Sequence, residues 1–302
     1  MVSAARRVRR VLLIAFVALL GLGVVAWNTE PPRLLSWADR VAGGARGVSL
    51  VADDVPFGTT GQTLNVWAPS AKAGKPRPVL VFFHGGGWVH GDRRAYDFAA
   101  RAFAAEGFVV VVPDYRKVPQ VRFPAFVQDG AQAVRWVRDN IASYGGDPSR
   151  VALSGHSAGA HTVAMLALDR RWLQAEGVDP RIVRAGIPMC GPYDFYPFNK
   201  RRSIDAMQGY PDPQATQPVN FARAGAPPLL LLSAGKDEQV GAHNAVNLAA
   251  RLKAVGAPVR HRDYPDLSHE NVAMALSVPF RGKAPVLADS VAFLRQAMPE
   301  PR

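Results

Sequence analysis

Residues Leu153 to Gly159 read L-S-G-H-S-A-G, so that Gly155-His156-Ser157-Ala158-Gly159 stands between a short apolar run and an Ala-rich one. The pattern describes a strand, a tight turn and a helix, with Ser157 at the tip of the turn. In a G-x-S-x-G turn the serine backbone is strained, and the flanking glycines let strand and helix approach closely. The hydroxyl then projects into a cleft above the N-terminus of its own helix. Five such residues also occur as an ordinary Gly/Ser turn. The reading therefore depends on whether the chain supplies a base, an orienting acid and an oxyanion site in the right order.

Outward from this turn, strand-like and helix-like segments alternate. Val151 to Ser154 is the entering strand and Ala158 to Leu168 the leaving helix. Upstream, Val79 to Phe83 and Val109 to Val112 are continuous apolar runs, the signature of strands buried on both faces, with a helix near Tyr96 to Glu106 between them. Apolar positions Phe126, Gly130, Val134, Val137 and Ile141 recur at three- and four-residue steps, which predicts an amphipathic helix ended by Gly145-Gly146-Asp147-Pro148. Val48 to Phe57 and Thr63 to Ala68 flank a Gly58 to Gly61 turn and read as a hairpin. Downstream come strands Ile182 to Met189, Leu229 to Ala234 and Val259 to Tyr264, and helices Ala242 to Val255 and Pro285 to Met298. The alternation predicts a mostly parallel, doubly wound α/β sheet in one domain over 48–298. Between Gly191 and Pro228 no periodicity is visible, and so long a connection holds short helices or serves function.

Serine needs a neutral imidazole within hydrogen-bond reach to act as a nucleophile. His269 lies in Asp266-Leu267-Ser268-His269-Glu270, just past a strand end, where an α/β site collects its side chains. That placement favours it over His243 and His261. His156 leaves the turn in another direction and reads as a packing or hydrogen-bonding residue. Asp237, directly after the Leu229 to Ala234 strand, either caps the helix that follows or orients the imidazole; Asp263 and Asp266 suit supporting roles. The order Ser157, Asp237, His269 is one of the three known orders of a Ser/His/Asp triad. A negative tetrahedral oxygen needs preorganised N–H donors, and His84-Gly85-Gly86-Gly87-Trp88 follows a strand about seventy residues before Ser157. Gly86, Gly87 and Ala158 can supply three amides, with Gly91-Asp92 fixing the loop.

The formal charge of +12 is partly local, since Arg6, Arg7, Arg9 and Arg10 cluster at the N-terminus. No basic run is interleaved with aromatics, which argues against a nucleic-acid surface. Cys190 is the only cysteine, so no intramolecular disulfide forms, and its apolar context reads as a core thiol. Residues 1–10 read as a basic cytoplasmic N-terminus and 28–47 as a linker with at most one short helix, around Leu34 to Val41. Val11 to Trp27 is uncharged and apolar, either a transmembrane signal anchor or a removed signal peptide. With the arginines before it, the anchor predicts a body outside the cytoplasm, on the periplasmic face of a bacterial inner membrane; cleavage predicts secretion.

The set H-G-G-G-W at 84–88, D-Y-R at 114–116, G-G-D-P at 145–148, G-H-S-A-G at 155–159, Asp237 and His269 resembles the α/β-hydrolase superfamily. Within it, the chain is similar to the carboxylesterase branch near hormone-sensitive-lipase-like and feruloyl-esterase-like enzymes. The resemblance covers roughly residues 48–298. It implies an eight-stranded sheet, Ser157 as nucleophile, His269 as base, Asp237 as its partner, Gly86, Gly87 and Ala158 as oxyanion donors, and support from His84, Trp88, Asp92 and His156. It implies neither cofactor nor metal. Two features depart from the branch: His156 stands where G-D-S-A-G is usual, and Asp237 sits in G-K-D-E rather than D-P-L-x-D. The run G-H-S-A-G-A-H at 155–161 is similar to kynurenine formamidases. The expected activity is cleavage of small-molecule carboxylic esters with small to medium acyl groups through an acyl-enzyme. The alternatives are an aryl formamide hydrolase and a non-catalytic membrane-tethered binding protein of the same fold. Tyr193, Phe195, Tyr196, Phe198 and Phe221 are available to wall a pocket.

Overall fold

The computed structural model describes residues 31–71 and 74–300. Eight strands form one sheet: β1 (Val48–Phe57), β2 (Gln62–Pro69), β3 (Arg77–Phe83), β4 (Val109–Pro113), β5 (Gly146–His156), β6 (Val183–Met189), β7 (Leu229–Lys236) and β8 (Val259–Ser268). Their order is β1-β2-β4-β3-β5-β6-β7-β8. The β1–β2 and β2–β4 pairs are antiparallel and all others parallel, so the predicted sheet and its opening hairpin are present.

The continuous apolar runs are explained by what covers each face. On one side, Leu80, Phe82, Val110, Val112, Ile187 and Leu232 meet helices α2 (Asp97–Ala105) and α9 (Val286–Ala297). Their neighbours Val79, Val81, Phe83, Val109, Val111 and Leu153 point the opposite way, onto α3 (Ala125–Asn140) and α4 (Ala158–Leu168). α7 (His243–Ala254) covers Leu229 and Leu231. With both faces dry, no polar alternation survives in the strands. The chain builds outward from β3 in both directions, to β4 and then to β5, so β3 and β5 flank the point where the connections diverge. Ligand clefts in open α/β sheets form at the strand C-termini there.

The 191–228 segment contains the short helix α6 (Arg201–Met207) and two 3₁₀ turns, preceded in the chain by α5 (Arg171–Ala175). Two buried amides hold its irregular backbone. Asn244 Oδ1 accepts the Tyr193 and Asp194 N–H groups at 2.8 Å each, and Gln217 Oε1 accepts those of Phe195 (2.7 Å) and Tyr196 (3.1 Å).

The N-terminal part is held more firmly than a linker. The short helix expected near Leu34 to Val41 is α1 (Pro31–Asp39), and it is docked on the domain where a linker was expected. Its last residue, Asp39, accepts Arg101 Nε from α2 at 2.9 Å and the Val278 N–H at 2.8 Å. Arg101 Nη2 also donates to the Ser36 carbonyl at 2.6 Å, and its guanidinium lies 5.4 Å from the Trp67 ring. Both members of the ion pair are buried, at 2% and 1% exposure of their side chains. Sixty-two residues separate them, so no local pattern pointed to the contact. The expected membrane segment 11–27 lies outside the described residues; among those described, no helix is long and apolar enough to cross a membrane.

A buried cation stripped of its carboxylate keeps its desolvation cost and loses the compensation. Asp39→Ala is therefore expected to lower the free energy of unfolding by about 3–5 kcal/mol in urea melts, whereas Asp179→Ala, at a solvent-exposed pair with Arg181, is expected to shift the urea midpoint far less.

Candidate active site

β5 runs into the elbow and α4 leaves it, with Ser157 between them at φ 55°, ψ −117°, in the left-handed half of the map that a serine seldom occupies. The Ser157 N–H is held by the Met189 carbonyl at the end of β6, at 2.9 Å. Such strain persists only where the surroundings over-determine it. Ser157 is partly exposed although nearly everything around it is buried.

His269 opens the short helix α8 (His269–Met274) at the end of β8. Its Nδ1 lies 2.7 Å from Asp237 Oδ2, just beyond the buried part of β7, and both side chains are at least 95% covered. Asp237 Oδ1 accepts the Gln239 and Val240 N–H groups at 2.9 Å each. Burial raises the Asp237 pKa, but the bonds from His269 and these amides outweigh it and hold the carboxyl below its usual range. Asp237 thus both caps its loop and grips the imidazole. The other candidates lie elsewhere: His261 and Asp263 both meet Ser233 Oγ, His243 approaches Asn244, and Asp266 pairs with Lys236 at the surface.

His156 links the elbow to the base. Its Nε2 donates to the His269 carbonyl at 2.9 Å, and its Nδ1 accepts the Tyr96 hydroxyl at 3.0 Å. The ring stands 4.7 Å from that of His269. Burial, followed by the neighbouring His269, pushes its pKa down to about 3, which keeps it neutral in this donor–acceptor role. The expected hydrogen-bonding residue is therefore a positioning one. The Cys190 thiol is buried against Asp237, and burial first, then that carboxylate, push its pKa well up. His156, Cys190 and His269 bring ligand-type atoms within 4.8 Å of one another. His156 is bonded at both nitrogens and His269 Nδ1 is held by Asp237, so the group fits an ordered network better than a metal.

After β3 the chain turns through His84 to Trp88. The Gly86 carbonyl accepts the Val89 and His90 N–H groups at 3.1 and 2.9 Å, which closes the loop on itself. Among the described residues, the N–H groups of Gly86, Gly87 and Ala158 donate to no other group, so the three expected amides are left over for a ligand. His84 is fully buried and stacks on Tyr115 at 4.2 Å, and the Tyr115 hydroxyl donates to the His84 carbonyl at 2.9 Å. Asp114 accepts the Arg93 N–H at 2.8 Å. Burial raises its pKa, yet His84 and Arg93 hold it well below the carboxylate range. Asp92 takes the Ala95 N–H at 2.9 Å and Arg33 Nε at 3.0 Å. Asp114 and Tyr115 thus fasten the glycine loop, whereas Arg116 of the same motif pairs with Asp129 at 2.7 Å.

Trp88 turns its ring into the core, 6.1 Å from Phe195 and edge-on to His161 at 5.5 Å. Of the five aromatics offered for a pocket wall, Phe195, Phe198 and Tyr196 reach this side, with Phe198 5.6 Å from Phe195. Tyr193 is fully buried and Phe221 packs as core. His161 is buried, and its Nε2 donates to the Thr216 carbonyl at 2.8 Å. Sequence reasoning missed Tyr96, Cys190, Asn244 and Gln217 as supports, because each acts through residues distant in the chain.

The fold and this site define the class, an α/β-hydrolase. The fold matches Thermogutta terrifontis esterase 2 phosphorylated by paraoxon, with TM-score 0.70 and 22% identity over 85% of this chain and 97% of that one. It also matches the hyperthermophilic esterase from the archaeon Pyrobaculum calidifontis, with TM-score 0.69 and 23% identity over 87% and 91%. The BD-FAE family model matches residues 64–252, and the chain belongs to that family. Esterase LipQ of Mycobacterium tuberculosis (strain ATCC 25618 / H37Rv) is 31% identical over 82% of this chain and 64% of its own length. Carboxylesterase NlhH of the same strain is 32% identical over 68% and 70%. The chain spans 64%, 56% and 55% of the lengths of the first three curated relatives it matches.

Burial lowers the pKa of His161 to about 4, as it does that of His156 to about 3. Below pH 6.5 the unfolded chain binds protons that the folded rings refuse, so stability falls as pH drops toward 4. At pH 5 each ring is expected to cost ~2 kcal/mol. Urea melts at pH 7.5 and 5 measure the slope, and His161→Gln, which keeps a donor and removes the titration, should flatten it by about half.

Proposed function

We propose that the chain hydrolyses carboxylic esters of small to medium acyl groups through an acyl-enzyme on Ser157. The observation that carries this reading is the buried 2.7 Å contact between His269 Nδ1 and Asp237, on the sheet edge that also presents the strained Ser157 and three unused N–H groups. With Nδ1 engaged by the carboxylate, Nε2 is the nitrogen left to accept the serine proton. Ser157 Oγ bonds to the ester carbonyl carbon as His269 takes its proton. The carbonyl oxygen, now negative, is met by the amides of Gly86, Gly87 and Ala158. The imidazolium then gives that proton to the departing alkoxide, which leaves as the alcohol. Water, deprotonated by His269, attacks the acyl group; the acid departs and Ser157 recovers its proton. No cofactor or metal enters these steps.

The names of the esterase relatives support the same reaction. The formamide alternative rested on the G-H-S-A-G-A-H run. His156 and His161 are both spent on internal carbonyls, so those two residues give no contact that favours a formamide. The scaffold alternative is disfavoured by the complete set of catalytic groups.

Hydrolysis of p-nitrophenyl acetate and butyrate is expected, with kcat lowered about 10⁴-fold or more in Ser157→Ala. Paraoxon should label Ser157 stoichiometrically, and N-formylkynurenine should turn over more slowly than the butyrate. Equal rates with and without the serine would overturn the mechanism.

The uncharged run 11–27 behind four arginines supports a tether that leaves the catalytic body outside the cytoplasm. A C-terminal alkaline phosphatase fusion should then be active in bacteria. An inactive fusion, expressed at normal level, would place the body inside.

A further inference from the structure

We propose that Arg202 reads a negative charge on the substrate, so that the preferred esters carry a carboxylate a few bonds from the scissile carbonyl. This rests on the ester-hydrolase reading above.

α6 is anchored beside the glycine loop. Its Ala206 carbonyl accepts the Phe123 N–H at 2.8 Å, and Ala206 and Met207 are buried in the cluster that contains Trp88 and Phe123. Arg202 lies four residues before Ala206, on the same side of the helix. Its side chain is laid across Gly87: a Cβ built on that glycine would stand 2.5 Å from Arg202 Cδ and 3.2 Å from Nη1. The guanidinium therefore borders one of the three amides left unused by the protein.

Among the described residues, Arg202 makes no ion pair or hydrogen bond. Its helix neighbour Arg201 holds Asp205 at 2.9 Å, and the Asp194 carboxylate of the same segment receives Asn247 at 2.7 Å. Phe195 and Phe198 supply a half-buried aromatic wall on the Trp88 side. A short acyl chain lying on that wall, with its carbonyl oxygen at the amides, presents its far end to the guanidinium. A planar fork of donors takes a carboxylate through two parallel hydrogen bonds, which a neutral chain end cannot match.

The test compares monoethyl succinate with ethyl pentanoate, a neutral ester of similar length, by ethanol release from the full chain. Unmodified protein should favour the anionic ester in kcat/KM. Arg202→Gln should lower the ratio of the two kcat/KM values by about tenfold, chiefly through KM of the succinate, since the site is partly open to water. Arg202→Lys should restore part of the ratio, and Arg202→Glu should invert it. A ratio unchanged in Arg202→Gln and Arg202→Glu overturns the proposal while the ester-hydrolase reading stands. Turnover of neither ester overturns that reading instead, and calorimetry then decides on Arg202. Monoethyl succinate binding to Ser157→Ala, lost on adding Arg202→Gln, upholds the charge reading; no binding, or binding indifferent to Arg202, overturns it.

Discussion

Three stretches of backbone meet beneath Ser157 with no space for a side chain between them. A Cβ on Gly159 would stand 2.2 Å from the Phe83 carbonyl oxygen and 2.6 Å from that of His84. One on Gly155 would stand 2.8 Å from the same Phe83 oxygen and from the Gly159 carbonyl. Main chain cannot swing aside as a flexible side chain does, so a methyl group at either position would force the end of β3, the elbow and the start of α4 apart. Because they stay together, the loop after β3 lies alongside the nucleophile turn, and the free amides of both segments converge. The positive φ of Ser157 is the local cost of that approach, offset by the packing on every side.

A second layer of order comes from hydrogen bonds between strand ends. Tyr96, His156, His269 and Asp237 form a chain that crosses from the α2 side of the sheet, through the elbow, to β8 and β7. Each buried member has its partner, which in a low-dielectric interior rigidifies rather than destabilises. His156 stands at the middle position that is aspartate in a G-D-S-A-G elbow. The neutral imidazole bonds at both nitrogens, so it can tie the hydroxyl of Tyr96 to the backbone of the base. An aspartate, having acceptors alone when ionised, could not donate to that carbonyl.

The mouth of the cleft is built differently from its floor. Its walls come from the irregular 191–228 segment, whose backbone is satisfied by Asn244 and Gln217 instead of by a ladder or helix. Irregular backbone is free to bring in side chains of any type, and here it brings aromatics and positions the short helix that carries Arg202. The body is also larger than the alternation of strands and helices suggested, because α1 closes over Arg101 and contributes a buried carboxylate that compensates its charge.

Several features were legible in the residues alone because short-range physics dictates them. Continuous apolar runs mark strands covered on both faces, glycines flank a turn that nothing bulkier fits, and the order of Ser157, Asp237 and His269 restricts the fold. The amides of Gly86, Gly87 and Ala158 were visible for the same reason, since consecutive glycines after a strand leave N–H groups unshielded. What lay beyond reach depended on contacts between distant residues. Asp39 with Arg101, His156 with the His269 carbonyl, Cys190 with Asp237 and Arg202 across Gly87 leave no periodicity, because a contact across the fold imposes none on the chain. The sequence by itself determined the sheet, the elbow and the order of the serine, aspartate and histidine that meet at one sheet edge. Only the tertiary structure decided which groups hold them in place and what charge faces the substrate, because those follow from where packing brings remote side chains.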